Sequence, residues 1–405
     1  MKNKFSHIEA KMDFSFKRIS SFLGVAMMFS FTAMSAQAES FAHPGALHTQ
    51  ADLERMKVKV AQGAQPWLDG WNVLVQNPHS SLNWTPRPVD VVYRGKDGDG
   101  HPENYATLFN DAAAAYAQAL RWKISGDTAY ADKAIAILDA WSGKLTAIGG
   151  NSDKFLASGI YGYQLANAAE IMRTYKHWPE ADFNRFKSMM LNIFYPMNHD
   201  FLVRHNGAKI DHYWANWDLA NMDSMIAIGI LADRRDIYNE AIDYFKHGQG
   251  NGAIDHVVWK IYPDGLGQTQ ESGRDQGHNT LNVSLLGAFC QMAWNQHDDL
   301  FGYEDSRVLK GVEYIAKYNL GMDVPYTPYR NSDVTQELIS SASRGGGRPV
   351  WELFYNHYVN LKGQDAPYTK MFAEKLRPEG GGGNYGPNSG GFDQLGYGTL
   401  TYTLK

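Results

Sequence analysis

The chain has 405 residues, with 38 Lys and Arg against 43 Asp and Glu, a formal net charge of −5, and 44% hydrophobic residues. An acidic balance of this kind argues against nucleic acid or an anionic membrane as partner. The single cysteine, Cys290, can form no intramolecular disulfide, so the fold must rest on its core, for which the length suffices.

At the N-terminus, Lys2, Lys4, Lys11, Lys17 and Arg18 precede an apolar run from Ile19 to Ala33 and the small-x-small triplet Ala36-Gln37-Ala38. This pattern reads as a secretory signal peptide over residues 1–38, cleaved before Glu39. The run is shorter than the ~20 residues a membrane span needs, so no membrane partner is expected after cleavage. Removing five basic and two acidic side chains takes the net charge from −5 to −8. The expected location is the periplasm or the exterior.

From Thr49 onward, apolar residues recur at spacings of three and four between short Gly, Asp or Pro breaks. In the stretch TLFNDAAAAYAQALRWKIS, Leu108, Ala112, Ala115, Ala119 and Trp122 share one face, and Gly126-Asp127 ends it. The pattern restarts at Thr128 with Ala131, Ile135, Leu138 and Trp141 aligned, which makes a helical hairpin. Further helices are expected over 160–174, 180–192, 214–231, 237–246, 279–295 and 306–318, with one short strand over 398–404.

Successive helical hairpins close into a toroid or curve into a solenoid, and no repeat of fixed period is visible. The expected fold is therefore all-α, an α/α toroid built as an incomplete barrel of helical hairpins, forming a single domain over 39–405. From Arg377 the chain turns Gly-rich, RPEGGGGNYGPNSGGFDQLGYG, and the segment 378–405 is expected to pack on that domain as an ordered tail.

Two stretches mix His, Asn, Arg and carboxylates with aromatics inside helical patterns: KIDHYWANWDLANMDSM from Lys209, and DGLGQTQESGRDQGHNTLN from Asp264. A buried polar side chain without a partner costs roughly 1–3 kcal/mol, so these clusters point to a cleft. A helix from His212 would place His212 and Asn216 at i and i+4, with Trp214, Trp217, Asp218 and Asn221 following at helical spacing, so that amide and imidazole groups lie beside indoles. In the second stretch, a helix would align Glu271, Arg274 and His278, letting the carboxylate orient the guanidinium and the imidazole. His212, Asp218 and His278 are also metal-ligand types, but no compact His or Cys pattern supports a metal, and neither metal nor cofactor is expected.

These stretches, with HPGALHTQADLERMK and NDAAAAYAQALRWKISGDTAYADKAIAILDAW, resemble the alginate-lyase-like helical toroids, most closely polysaccharide lyase family 38. The resemblance spans nearly all of 41–405. It implies an α/α barrel that cleaves an anionic uronic-acid polysaccharide, alginate or glucuronan, by β-elimination. Asn216-Trp217 also resembles the Asn-Trp of toroidal chondroitin lyases, which makes Asn216 the group that neutralises the substrate carboxylate and His278 the catalytic histidine. The match departs after His278, where NTLNVSLLGAF supplies no tyrosine.

Eliminating across C4–C5 of a uronate means removing a weakly acidic C5 proton and protonating the departing O4. Asn216 with Arg274 suits the carboxylate, and His278 or a tyrosine suits the proton. Tyr329 in DVPYTPYRN is the preferred phenol over Tyr355. Arg348, Tyr355 and His357, with His212, Tyr213, Trp217 and Glu271, are expected to bind substrate. Two competing readings remain: a glycoside hydrolase using Asp264, Glu271 and Asp275, and a non-catalytic periplasmic sugar-binding protein. Oligomeric state is not legible.

Overall fold

The structure, a computed structural model, describes residues 40–382 and 393–405. The expected signal peptide and the centre of the Gly-rich tail lie outside the described residues.

Helices dominate the described residues. In chain order these are α1 (Gln50–Ala61), α2 (Trp67–Gln76), α3 (Ala106–Ser125), α4 (Thr128–Ser142), α5 (154–172), α6 (180–204), α7 (Ala215–Leu231), α8 (Arg235–His247), α9 (Gln276–Asn295), α10 (Tyr303–Asn319), α11 (351–361), α12 (Pro367–Leu376) and α13 (Gly398–Thr401). Helices α5, α6 and α11 each contain a π-helical stretch, at Ala157–Tyr161, Met190–Phe194 and Tyr355–Leu361. A short helix at Ile254–Val257, 3₁₀ turns at Pro78–Ser80 and His205–Gly207, and three two-stranded ribbons add to these, one ribbon pairing Val91–Tyr93 in parallel with Ala147–Gly149.

Local chemistry sets the boundaries. Thr49 and Asp52 form a capping box at the start of α1, each side chain taking the other's backbone N–H. Gly126 ends α3 in the left-handed region at φ 78°, and Asp127 then caps α4.

Helices α3 and α4 pack as one hairpin and α7 and α8 as another. The inner helices follow one another round a ring: α3 on α5, α5 on α7, and α7 on α9. Gly287 of α9 then meets the Phe354 ring of α11, α11 packs on α13, and α13 reaches α1 and α2, with α1 back against α3. The described ends of the chain thus close the toroid. In α7 every residue except Trp217 is buried, as a helix surrounded by neighbours requires. The α5–α7 approach is close enough that a Cβ on Gly159 would lie 2.7 Å from the Ala220 carbonyl carbon.

Two expectations are corrected. The segment Gly398–Thr401 is helical, not a strand: it has no sheet to join, and the Thr401 and Thr403 hydroxyls bond the carbonyls of Tyr397 and Thr399, four residues back. The helix expected over 180–192 runs on to Arg204, because its π turn carries the chain past Pro196 at the start of the next helical segment. In the described parts of the tail, Glu379 Oε1 accepts the backbone N–H of Trp351 in α11, and the Asp393 carbonyl accepts from the Tyr163 hydroxyl of α5. Gly381 bridges to Gly396, and Tyr397 N–H donates to the Gly380 carbonyl.

Candidate active site

Helix α9 starts where the second polar stretch ends. Asp275 is its N-cap, in extended conformation, and its Oδ1 accepts the backbone N–H of His278 at 2.8 Å. The other oxygen, Oδ2, lies 2.6 Å from His278 Nδ1. A carboxylate at that nitrogen fixes the ring with its proton on Nδ1 and its lone pair on Nε2.

The expected helix through Glu271, Arg274 and His278 is corrected, since Glu271–Arg274 form a turn closed by Arg274 N–H on the Glu271 carbonyl at 2.9 Å. The expected contacts form all the same. Arg274 Nη1 donates to Glu271 Oε2 at 2.8 Å, and Nη2 lies 3.2 Å from His278 Nε2. Glu271 Oε1 accepts both the backbone N–H of Asn216, at 3.0 Å, and its amide Nδ2, at 2.7 Å. The guanidinium also sits 4.9 Å from the Trp214 ring centroid. One continuous chain of hydrogen bonds therefore runs Asn216, Glu271, Arg274, His278, Asp275.

Asn216, Asp275 and His278 of this chain line a cavity of about 530 Å³, within the ~300–1,000 Å³ usual for ligand clefts, whereas Glu271 and Arg274 are not in its lining. Asn216, Asp275, His278, Arg348, Arg94 and Asp393 line it. Arg348 is held by Gln394 Oε1 at 2.6 Å, Asp393 Oδ2 at 3.3 Å and the Gly277 carbonyl at 3.1 Å, so the tail is anchored beside His278.

Burial pushes the Asp393 carboxyl up from its ordinary value, against the pull of Arg348 and Arg94. At Asp275 burial also pushes upward, but the hydrogen bonds from the His278 ring and backbone, with Arg274 nearby, outweigh it and hold the carboxyl low.

Other expected residues lie elsewhere. Helix α7 begins at Ala215 with Trp214 as N-cap, so His212 precedes it; its Nδ1 lies 2.7 Å from Asp333 Oδ2, exposed and outside the cavity lining. Tyr213 and Trp217 pack on each other at 4.7 Å and on Phe201, serving the core instead of the cleft. Tyr329 is buried behind the wall, where its hydroxyl accepts from Gln270 Nε2 at 3.1 Å while Gln270 Oε1 accepts the Ala215 N–H. Burial raises its pKa, opposite to the lowering expected of a phenolic acid.

Tyr355 faces the Arg377 guanidinium at 5.8 Å and lies outside the lining. His357 stacks on Phe301 at 3.8 Å and lines a separate cavity with Trp294 and Arg55; burial lowers its pKa to about 3. The trio His212, Asp218 and His278 is not assembled, because Asp218 is buried on Tyr244 Oη and the Gly252 N–H, both at 2.9 Å.

Sequence reading missed Arg94 and Asp393 as site residues. Each comes from a Gly-rich loop without helical periodicity, and only the closed ring carries them to His278.

The family model for alginate lyases matches residues 59–323, well over half of the chain. The chain belongs to the alginate lyase family. It is thus a polysaccharide lyase, and the hydrolase and binding-protein readings give way. This lyase has the fold of alginate lyase A1-III from Sphingomonas species A1, at 14% identity and TM-score 0.57 over 91% of this chain and 98% of that one. An alginate lyase from Bacteroides ovatus matches at 13% identity and TM-score 0.61, over 90% of this chain and 100% of the other. The Sphingomonas enzyme is also solved as a His-to-Ala variant complexed with a tetrasaccharide, which matches this lyase at 14% identity and TM-score 0.52, over 91% of this chain and 98% of that one. No curated protein matches the sequence.

Proposed function

We propose that this lyase cleaves a uronic-acid polysaccharide, alginate or glucuronan, by β-elimination, leaving a 4,5-unsaturated uronate end. The hydrogen-bonded chain from Asn216 to Asp275, of which Asn216, Asp275 and His278 line the cavity, carries this reading. Asn216 spends one amide N–H on Glu271, and the second is left for a substrate carboxylate. Arg274 turns from His278 Nε2 to the same carboxylate, and together they stabilise the charge that builds up as the C5 proton leaves.

His278 Nε2, freed of Arg274, takes that proton, and the resulting imidazolium is stabilised by Asp275. The C4–O4 bond breaks as the C4–C5 double bond forms, and the imidazolium returns its proton to O4. The tetrasaccharide complex of the Sphingomonas relative supports an oligosaccharide in a cleft of this fold. Action in the periplasm or outside the cell is part of the proposal, supported by the basic and then apolar pattern of residues 1–38.

The test is to incubate the protein with alginate, polymannuronate, polyguluronate and glucuronan and follow the ultraviolet absorbance of the unsaturated end. Absorbance must rise on at least one polymer and be lost in His278→Ala. New reducing ends without the chromophore would sink elimination as the reaction.

A further inference from the structure

Arg94 lines the same cavity as Asn216 and His278 but stands outside their hydrogen-bond chain. It follows directly on the strand Val91–Tyr93, which pairs with Ala147–Gly149. Its guanidinium lies beside two stacked aromatic rings, 5.1 Å from the Tyr105 centroid and 5.7 Å from that of Tyr161, and donates to the Tyr161 hydroxyl at 3.2 Å. No described carboxylate lies within ion-pair distance of it, and the charges of Asp393 and Asp153 act on it from farther off. Asp393, the acid that shares its wall, is bonded by Arg348 instead.

A half-buried guanidinium beside two rings, with a phenol as its hydrogen-bond partner, still has donors to give to an anion that enters the cavity. The fold places it apart from the reacting group. Asn216 and His278 project from the starts of α7 and α9, whereas Arg94 packs beside α3 and α5. Leu156 and Ile160 of α5 line the cavity as well, an apolar surface suited to the C–H face of a sugar.

We propose that Arg94 binds the carboxylate of the uronate next to the one undergoing elimination, and so makes the lyase specific for runs of contiguous uronates. This assignment rests on the elimination reading above. A polymer in which uronates alternate with neutral sugars would leave Arg94 facing a residue without a carboxylate, and would forgo a charge-assisted hydrogen bond.

The experiment compares kcat/KM on a polyuronate that the wild type cleaves with kcat/KM on the same polymer after about nine-tenths of its carboxyls have been reduced to alcohols. Each value is expressed per remaining uronate. The wild type should lose about fivefold or more on the reduced polymer, because about nine in ten of the remaining uronates then lack a charged neighbour and each forgoes a contact worth about tenfold. Arg94→Gln should lower kcat/KM on the intact polymer through KM, and bring the ratio between the two polymers close to one. Because the ratio is internal to each enzyme, partial unfolding of the variant does not enter it.

Should Arg94→Gln yield no active protein, Arg94→Lys supplies the ratio, expected between the other two because Lys keeps the charge but not the planar fork. A wild-type ratio retained in either variant overturns the proposal. Absence of the unsaturated chromophore with the wild type is a separate result, which would overturn the elimination reading itself.

Discussion

Asp275 makes two bonds to the same residue: Oδ1 accepts the backbone N–H of His278 and Oδ2 the ring Nδ1–H. One carboxylate thereby caps α9 and sets the tautomer of the proposed base. The two roles are separable, since Asn caps a helix as well as Asp does. Asp275→Asn should keep the melting temperature close to wild type yet lower kcat by about 10²-fold or more, with KM little changed. Asp275→Ala should lose about 1 kcal/mol of stability in addition. Unchanged kcat in a folded Asp275→Asn would remove Asp275 from the mechanism.

The same contact has an acid signature. The folded carboxyl of Asp275 is held below its ordinary value, so its stabilising contribution is present above the unfolded pKa of about 3.9 and is lost as the pH falls through the folded value. Urea melts of wild type and Asp275→Ala between pH 5 and 2.5 should therefore converge toward the acid end.

Asn216 gives Glu271 two of its hydrogen bonds and is proposed to give substrate a third. Asn216→Ala should reduce kcat/KM by about 10²–10³-fold, the usual loss for one preorganised donor at a developing anion. The backbone bond to Glu271 survives the substitution, so thermal unfolding should move by only a few degrees. A kcat/KM within threefold of wild type would show that the amide does not meet the carboxylate.

Tyr329 was the phenol favoured by the sequence, and its place behind Gln270 gives a sharp contrast with His278. Tyr329→Phe should leave kcat within about threefold and cost about 1 kcal/mol for the lost hydrogen bond. His278→Ala should abolish measurable elimination. Steady-state rates of the two variants decide, and a Tyr329→Phe variant as inactive as His278→Ala would return the phenol to the mechanism.

His357 is buried against Phe301 and Trp294, with Nε2 lacking a partner among the described residues. Burial lowers its pKa from the ordinary 6.5 to about 3. The unfolded chain therefore binds a proton that the folded one refuses between those values, and stability falls as the pH drops below about 6.5. His357→Phe should flatten that slope in denaturant titrations while leaving kcat and KM as they were. An effect confined to catalysis would contradict its place in the core.

The sequence by itself determined the helices and the principal chemistry. Apolar spacing in 106–142 and 215–231 specified which faces are buried, because a 3.6-residue period reads directly as one side of a helix. The polar stretches at 209–225 and 264–282 were legible for the opposite reason, being too costly to bury without partners, and they supply Asn216, Glu271, Arg274, Asp275 and His278.

What only the tertiary structure decided is which other residues join them. Tyr213 and Trp217 turned toward Phe201, Tyr329 went behind Gln270, and His357 went to a separate cavity, since an aromatic or a histidine reads the same in core and cleft. Arg94 and Asp393 carry no periodic signal. They reach the site because a closed ring brings together loops about 300 residues apart in sequence, and no local pattern encodes such a contact.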